Sequence, residues 1–370
     1  MKRQNLHTFR SIFVLKLLCY GGIGPPRDRN WLEQAGDAKK AGLLLEMDCP
    51  AVLRPETPDS LKLAQTLLQN GTPVAFATET VYGLGADATN GEAVASIYAA
   101  KGRPSFNPLI AHFADAESAF AVVEADERAA QLAAAFWPGP LTLVLRRTPD
   151  CPISSLAGAG LPTQAVRVPQ VSAGFRDVLR AFPGGIVAPS ANPSGQLSPT
   201  SAQHVQAGLG KAVALIIDGG PCTAGLESAV VDLSGTEPKL LRHGALAQAD
   251  IEAVIGQHLA MDVDPAVKAS PGQMTQHYAP TKPLFLNATR ATADQAALVF
   301  SEPNGFEQAC ALEVLSSSGS VVEAAANLFS ALHRLDASPA RAIVVEKMPV
   351  GGLGAAINDR LRRAAAGRGE

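Results

Sequence analysis

The feature that most limits what this chain can fold into is a repeated order: a short apolar run, a polar turn, then an amphipathic stretch. "TPVAFAT" is followed by the turn "ETVYGLGADATNG", the helical "EAVASIYAAK" and a second short strand, "LIAHF". Short strands separated by helical stretches require helices packed on a sheet. The same alternation continues through the strand-like "LTLVLRR", "AVRVP", "GIVAPS", "VALIIDGG" and "SAVVDL" and the helical "ERAAQLAAAFW" and "SAGFRDVLRAF". Upstream, Ser60 reads as the N-cap of "SLKLAQTLLQNG", which puts Leu61, Ala64, Leu67 and Leu68 on one face and stops at Gly71. The fold class is therefore α/β with a mixed sheet.

At 370 residues the chain exceeds what one small core organises, which predicts two globular units. The stretch "VDPAVKASPGQMTQHYAPTKP", with four prolines and little apolar periodicity, reads as the linker between them. The expected divisions are an N-terminal extension over 1–50, a first domain over 51–260, a linker over 261–282 and a smaller α/β domain over 283–370. That last domain is read from "PLFLN", "AALVFS", "ALEVLS", the helix "SVVEAAANLFSALHRLD", "ARAIVVEKM" and "GLGAAINDRLRRAAA".

Charge and cysteine usage narrow the function. Lys and Arg number 31 against 34 Asp and Glu, which argues against a globally basic nucleic-acid surface and leaves room only for a local cationic groove. The five cysteines, Cys19, Cys49, Cys151, Cys222 and Cys310, form no CxxC pair. Neither a disulfide framework nor a thiolate zinc site is indicated, and a reducing, cytoplasmic setting fits. The seven histidines have no HxxxH spacing, so a metal would be expected to arrive with a substrate. In the first 50 residues the apolar run is split by Lys16 and falls short of the ~20 residues a membrane span needs. With Met47 just before the patterned sequence, this stretch reads as a disordered extension from an upstream start, with a targeting peptide as the other reading.

The polar turns are the candidates for chemistry. No GxxxxGK[ST], GxGxxG or GxSxG is present. "KGRPSFNPL" places Lys101 and Arg103 where a helix ends, followed by Asn107 between prolines, with His112 in the next strand. Cations at a helix C-terminus are favoured by the helix dipole, so a solvated helix end explains Lys101 and Arg103 as well as an anion site does. "TETVYGLG" carries Thr78, Glu79, Thr80 and Tyr82 at the end of a buried strand, where simple turn capping is the alternative. "PSANPSG" offers Ser190, Asn192 and Ser194 ahead of a helix starting near Ser201, and Arg167 and Arg242 each close an apolar strand run. Taken singly, each of these is equally well a capping or solvent-facing residue. Four cations at separate strand ends favour one cleft.

In this order and spacing, "TETVYGLG", "KGRPSFNPL", "RVP", "PSANPSG", "ESAVVDL" and "LLRHGA" resemble the YrdC-like domain of L-threonylcarbamoyladenylate synthases. The linker "SPGQMTQHYAP" and the second α/β unit resemble the long, two-domain form of that family, over residues 51 to 370. The resemblance implies a YrdC-like mixed, twisted sheet with helices, then a linker and a smaller Rossmann-like α/β domain. It implies a nucleotidyltransferase that makes threonylcarbamoyl-AMP and pyrophosphate from L-threonine, bicarbonate or CO2, and ATP, with Mg2+ brought in by the ATP. The product feeds threonylcarbamoyladenosine modification of tRNA through a downstream tRNA threonylcarbamoyl transferase complex, and contact with tRNA or double-stranded RNA is left open.

Carried over by motif, Thr80, His112, Arg167 and Ser228 hold the threonine, with Arg167 on its carboxylate. Lys101 and Arg103 serve as catalytic cations. Arg103, Asn107, Thr163, Ser190, Asn192, Ser198 and Arg242 contact the nucleotide together with Lys101, and Tyr278 of "HYAP" is the gate over ATP. Ala77, Gln170, Ala229, His243 and Thr275 depart from the residues frequent in the family at those places but leave the cationic set intact. The competing class is an RNA-binding or ribosome-associated YrdC-like module, which the acidic balance disfavours. A hydrogenase-maturation carbamoyltransferase would add zinc-finger cysteine pairs and an acylphosphatase-like domain, and neither pattern is present.

Overall fold

The computed structural model describes residues 51–261 and 277–366. The extension over 1–50, most of the linker and its Thr275 lie outside them. Twelve strands form one large twisted sheet: β1 (Val52–Pro55), β2 (Val74–Phe76), β3 (Gly83–Asp87), β4 (Ile110–His112), β5 (Val123–Glu124), β6 (Leu141–Arg147), β7 (Thr163–Arg167), β8 (Ile186–Val187), β9 (Leu215–Asp218), β10 (Ala229–Asp232), β11 (Lys239–Arg242) and β12 (Ala260–Met261). Their spatial order is β1-β9-β2-β3-β8-β4-β7-β6-β10-β11-β12, with β5 beside β6. Parallel pairs such as β4 with β7 and β6 with β10 alternate with antiparallel ones such as β2 with β3 and β6 with β7, so the sheet is mixed.

Around it pack α1 (Pro58–Gln69), α2 (Gly91–Lys101), α3 (Ala116–Phe120), α4 (Glu127–Phe136), α5 (Ala173–Arg180), α6 (Ala202–Leu209) and α7 (Gln248–Ile255). A second sheet, wholly parallel, has the order β13 (Leu284–Ala288), β16 (Ala342–Glu346), β14 (Gln295–Val299) and β15 (Ala311–Val314), with α8 (Val321–Ala337) and α9 (Gly354–Ala365). Among the described residues no helix is long and apolar enough to cross a membrane.

Two expectations are corrected. Ser60 is not the N-cap of the first helix. Thr57 caps it, with Pro58 opening the first turn and Ser60 completing a capping box, so α1 starts three residues earlier. The stretch expected as the turn "ETVYGLGADATNG" contains β3, which runs antiparallel to β2 and separates it from the strand that follows α2. Its glycines hid it, since Gly weakens strand propensity. Packing explains them: a Cβ on Gly85 would come within 2.7 Å of the Phe76 ring and 3.0 Å of Ile186.

The two sheets meet along a tight seam. Val81, Leu197 and Leu226 from the first unit and Tyr278 from the linker join one apolar cluster with Leu328, Phe329 and Leu332 of α8. Gly225, at φ +65°, lies so close to α8 that a Cβ there would overlap the Ala326 carbonyl. Thr200 Oγ1 meets Ser330 Oγ at 2.8 Å, and the rings of His204 and His333 stack across the seam at 3.8 Å.

Gly225→Ala is expected to force the seam apart and to lower the free energy of unfolding by about 2 kcal/mol or more, measured by chemical denaturation. Burial, with the charges of His333 and Arg334, depresses the His204 pKa to about 4. The unfolded chain binds that proton near pH 6.5, so between about pH 6.5 and 4 it holds more protons than the native state, and stability falls as pH falls through that window. The melting temperature of the wild type is expected to drop more steeply from pH 7 to 4.5 than that of His204→Gln.

Candidate active site

The cavity forms where several strand ends meet. β7 ends at Arg167 beside His112 of β4, β10 begins just after Ser228, and β11 ends at Arg242. The loops after β2, α2 and β8 complete the wall, and Tyr278 lines it as well. The lining includes Thr80, Arg103, His112, Arg167, Ser190, Ser228, Arg242 and Tyr278, all picked from the sequence. Glu227 and His277 line it as well and were not picked.

Arg167 is held rigidly. Its Nη2 donates to Glu79 Oε1 at 2.7 Å and to Thr80 Oγ1 at 3.0 Å, and its Nε donates to the Gly139 carbonyl at 3.1 Å. Its Nη1 makes no hydrogen bond among the described residues, which leaves that edge of the guanidinium for an anion in the cavity. Glu79 is thus the orienting partner of Arg167. It also accepts from the Gln170 amide at 3.1 Å, so its carboxylate is fixed from two sides. His112 Nδ1 lies 3.1 Å from the Ile110 carbonyl. Burial, reinforced by the Arg167 charge, pushes its pKa down to about 3, so the ring is neutral at pH 7. Ser228 Oγ sits 2.7 Å from Thr142 Oγ1 and accepts from Arg242 Nη2 at 3.1 Å.

The cation-rich side is organised differently. Arg103 Nε donates to the Asn107 carbonyl at 3.2 Å and Nη2 to the Pro108 carbonyl at 2.9 Å, so the turn after α2 folds around its guanidinium. Burial, with Arg242 nearby, lowers its pKa to about 10. Lys101, the last residue of α2 before the left-handed Gly102, donates to the carbonyls of Ser190 and Asn192. Burial, and then the Arg103 charge, hold its pKa well below the usual lysine range. Lys101 therefore clasps the "PSAN" loop through its main chain. No carboxylate pairs with Lys101 or Arg103 among the described residues, so the local field favours an anion.

Five residues picked from the sequence do not line the cavity. Lys101 and Asn107 lie behind it, buried in the turn they stabilise. Asn192 turns its amide to the carbonyls of Pro193 and Gln196 and borders a neighbouring groove with His204 and His333. Ser198 donates to Glu227 Oε1 at 2.5 Å. Thr163 starts β7, and the period-2 alternation puts it on the same sheet face as Arg167 but ~13 Å away along the strand. Between them lies a small apolar cluster of Ile110, Ala165, Val144, Val230 and Leu241. That face therefore has a polar, charged end at Arg167 and an apolar shelf leading towards Thr163.

Tyr278 has φ +64° and is fully buried, and its hydroxyl has no hydrogen-bond partner among the described residues. A left-handed tyrosine is rare and persists only where its surroundings enforce it. Those surroundings are the Phe329 ring at 5.5 Å, the Arg360 guanidinium at 5.0 Å and the His277 ring at 4.0 Å. With Tyr278 in place the cavity measures ≈ 40 Å³. Ligand pockets begin at roughly 300 Å³, so in this arrangement the cavity is too small to take in a nucleotide. Glu79 was named in the sequence but given no role, Glu227 sat unremarked at the head of the quoted "ESAVVDL", and Arg360 gave no signal, because the importance of the last two comes only from meeting across the seam.

Comparison with known proteins agrees with this architecture. Residues 66–244 match the family described as "Telomere recombination" (Sua5_yciO_yrdC), and residues 246–366 match "Threonylcarbamoyl-AMP synthase, C-terminal domain". The chain is 40% identical over 325 residues to the threonylcarbamoyl-AMP synthase of Bacillus subtilis, covering 82% of this chain and 92% of that protein. It is 39% identical to that of Pyrococcus abyssi, covering 82% and 93%. A crystal structure of P. abyssi Sua5 complexed with L-threonine superposes with a TM-score of 0.75 at 36% identity, over 85% of this chain and 97% of that one. With both domains matched and relatives covered nearly end to end, the chain belongs to the threonylcarbamoyl-AMP synthase family, in its long two-domain form.

Proposed function

We propose that this chain is an L-threonylcarbamoyladenylate synthase, joining L-threonine, bicarbonate or CO2 and ATP into threonylcarbamoyl-AMP with release of pyrophosphate. The observation that carries the reading is the convergence of Arg167, Thr80, His112 and Ser228 with Arg103 and Arg242 on one closed cavity. The threonine carboxylate fits the free edge of Arg167, and neutral His112 with the hydroxyls of Thr80 and Ser228 suits its amine and hydroxyl. The amine captures CO2 as a carbamate, one of whose oxygens attacks the α-phosphorus while pyrophosphate leaves. Both reactants are anions, so the protein's contribution is positioning and charge neutralisation.

Arg103, Arg242 and Ser190 line the cavity and suit the phosphates. Lys101 supports them by fixing the loop that presents Ser190, and Asn107 by shaping the turn around Arg103. The mixed anhydride product hydrolyses in water, and a cavity closed by Tyr278 keeps it dry. Mg2+ enters with ATP as part of the substrate. Among the described residues no three His, Cys, Asp or Glu side chains gather to hold it, and the cavity-facing Glu227 is already engaged by Ser198. Residues 51–260 are assigned to catalysis, with 261–282 and the C-terminal unit as gate and support. We place the enzyme in the cytoplasm, supplying a tRNA-modifying transferase.

ATP consumption measured with L-threonine and bicarbonate each omitted in turn tests the reaction, and pyrophosphate release that ignores threonine would overturn it. Arg167→Ala is expected to raise the KM for threonine roughly 10- to 100-fold with little change in that for ATP, and Arg103→Ala to do the reverse. Lys101→Met is expected to lower kcat/KM for ATP at least about tenfold, because the Ser190 loop loses its clasp.

A further inference from the structure

The residue with the most unexpected position is Arg360. It belongs to α9 in the C-terminal unit, yet it is 1% exposed and reaches two residues of the cavity lining, Glu227 and Tyr278, and the main chain at His243. Its Nε donates to Glu227 Oε2 at 2.9 Å, Nη2 donates to the His243 carbonyl at 2.8 Å, and its guanidinium lies 5.0 Å from the centre of the Tyr278 ring. Nη1 donates to Asp359 Oδ2 at 2.8 Å, and Asp359 is in turn held by Arg363 at 3.1 Å. All three nitrogens are committed. Glu227, on its other oxygen, accepts from Ser198 at 2.5 Å, and His333 of α8 reaches the Ser198 carbonyl at 3.1 Å.

Ser198, Glu227, Arg360 and Tyr278 thus form one buried relay. At one end is Ser198, which the family resemblance assigns to the nucleotide but which sits behind the cavity lining, and at the other the Tyr278 ring in the cavity wall. A purely structural role explains this arrangement poorly. Well-packed apolar side chains hold a seam at least as well as a buried ion pair, and the neighbouring Leu226, Leu328 and Phe329 already do so. A planar guanidinium, by contrast, can fix a carboxylate, a carbonyl and an aromatic face at the same time, which neither lysine nor an apolar residue can do.

We infer that Arg360 is a positioning residue for the nucleotide: through Tyr278 and Glu227 it makes ATP binding in the first unit depend on the docked C-terminal unit. The inference rests on the adenylate-forming reading above for the identity of the ligand. Its test does not need turnover.

ATP and L-threonine binding are measured separately by calorimetry on the full chain, alongside melting temperatures, for the wild type, Arg360→Lys, Tyr278→Ala and the double variant. Arg360→Lys keeps the charge and loses the fork. It is expected to weaken ATP binding at least tenfold and threonine binding less than threefold. In the Tyr278→Ala background the further loss on Arg360→Lys should shrink below threefold. Equal weakening of both ligands, unchanged ATP affinity, or a full effect persisting without Tyr278 would overturn the inference, as would a wild type that binds no ATP. If Arg360→Lys does not fold, Arg360→Gln combined with Glu227→Gln removes both charges together, and the same selective loss of ATP affinity is expected. Threonine-dependent pyrophosphate release by the wild type, measured in parallel, judges the reaction itself. A wild type that binds ATP but makes no adenylate would overturn that reading while leaving the binding comparison decisive.

Discussion

The structure depends on burying positive charge on one face of a sheet. Lys101, Arg103, Arg167, Arg242 and, across the seam, Arg360 are all buried, and carboxylates pair with only some of them. Stripping water from a guanidinium or ammonium is costly unless hydrogen bonds replace it. The chain supplies those bonds chiefly from main-chain carbonyls: Gly139 for Arg167, Asn107 and Pro108 for Arg103, Ser190 and Asn192 for Lys101, His243 for Arg360. The loops take their shapes because each must turn a carbonyl towards a cation. This is why "PSANPSG" and "KGRPSFNPL", so far apart in sequence, are one structural unit.

Glu79 and Glu227 divide the remaining work. Glu79 points Arg167 at the cavity. Burial alone would raise the Glu227 pKa, but the charges of Arg360 and Arg242 and the Ser198 hydroxyl outweigh it and hold it at about 2, so Glu227 stays anionic across the neutral range. A permanently charged carboxylate between two arginines is a fixed post, and it belongs to both domains.

Much of this was legible in the sequence because the motifs are local. Thr80, His112, Arg167, Ser190, Ser228 and Arg242 sit at or near strand ends and Arg103 just past the end of a helix, and apolar periodicity locates both kinds of end well. The glycine-bearing β3 was not legible, since its glycines answer to Phe76 and Ile186 from other strands. Nor were the hydrogen-bond partners of Lys101. Sequence placed it among phosphate-facing cations, whereas its hydrogen bonds go to a loop ninety residues away. Arg360 was the least legible: in "NDRLRRAAA" it looks like one arginine among several on a polar helix, and only the docking of α9 sets it apart from Arg362 and Arg363.

The left-handed backbone of Tyr278 stores conformational strain in the wall of the cavity. A bulky residue at positive φ carries roughly 1–3 kcal/mol of strain, and the closed cavity holds it under load. Its neighbours, rather than its own backbone preference, hold Tyr278 there, so the part of the cavity wall it forms is only as firm as the Phe329 and Arg360 contacts made across the seam.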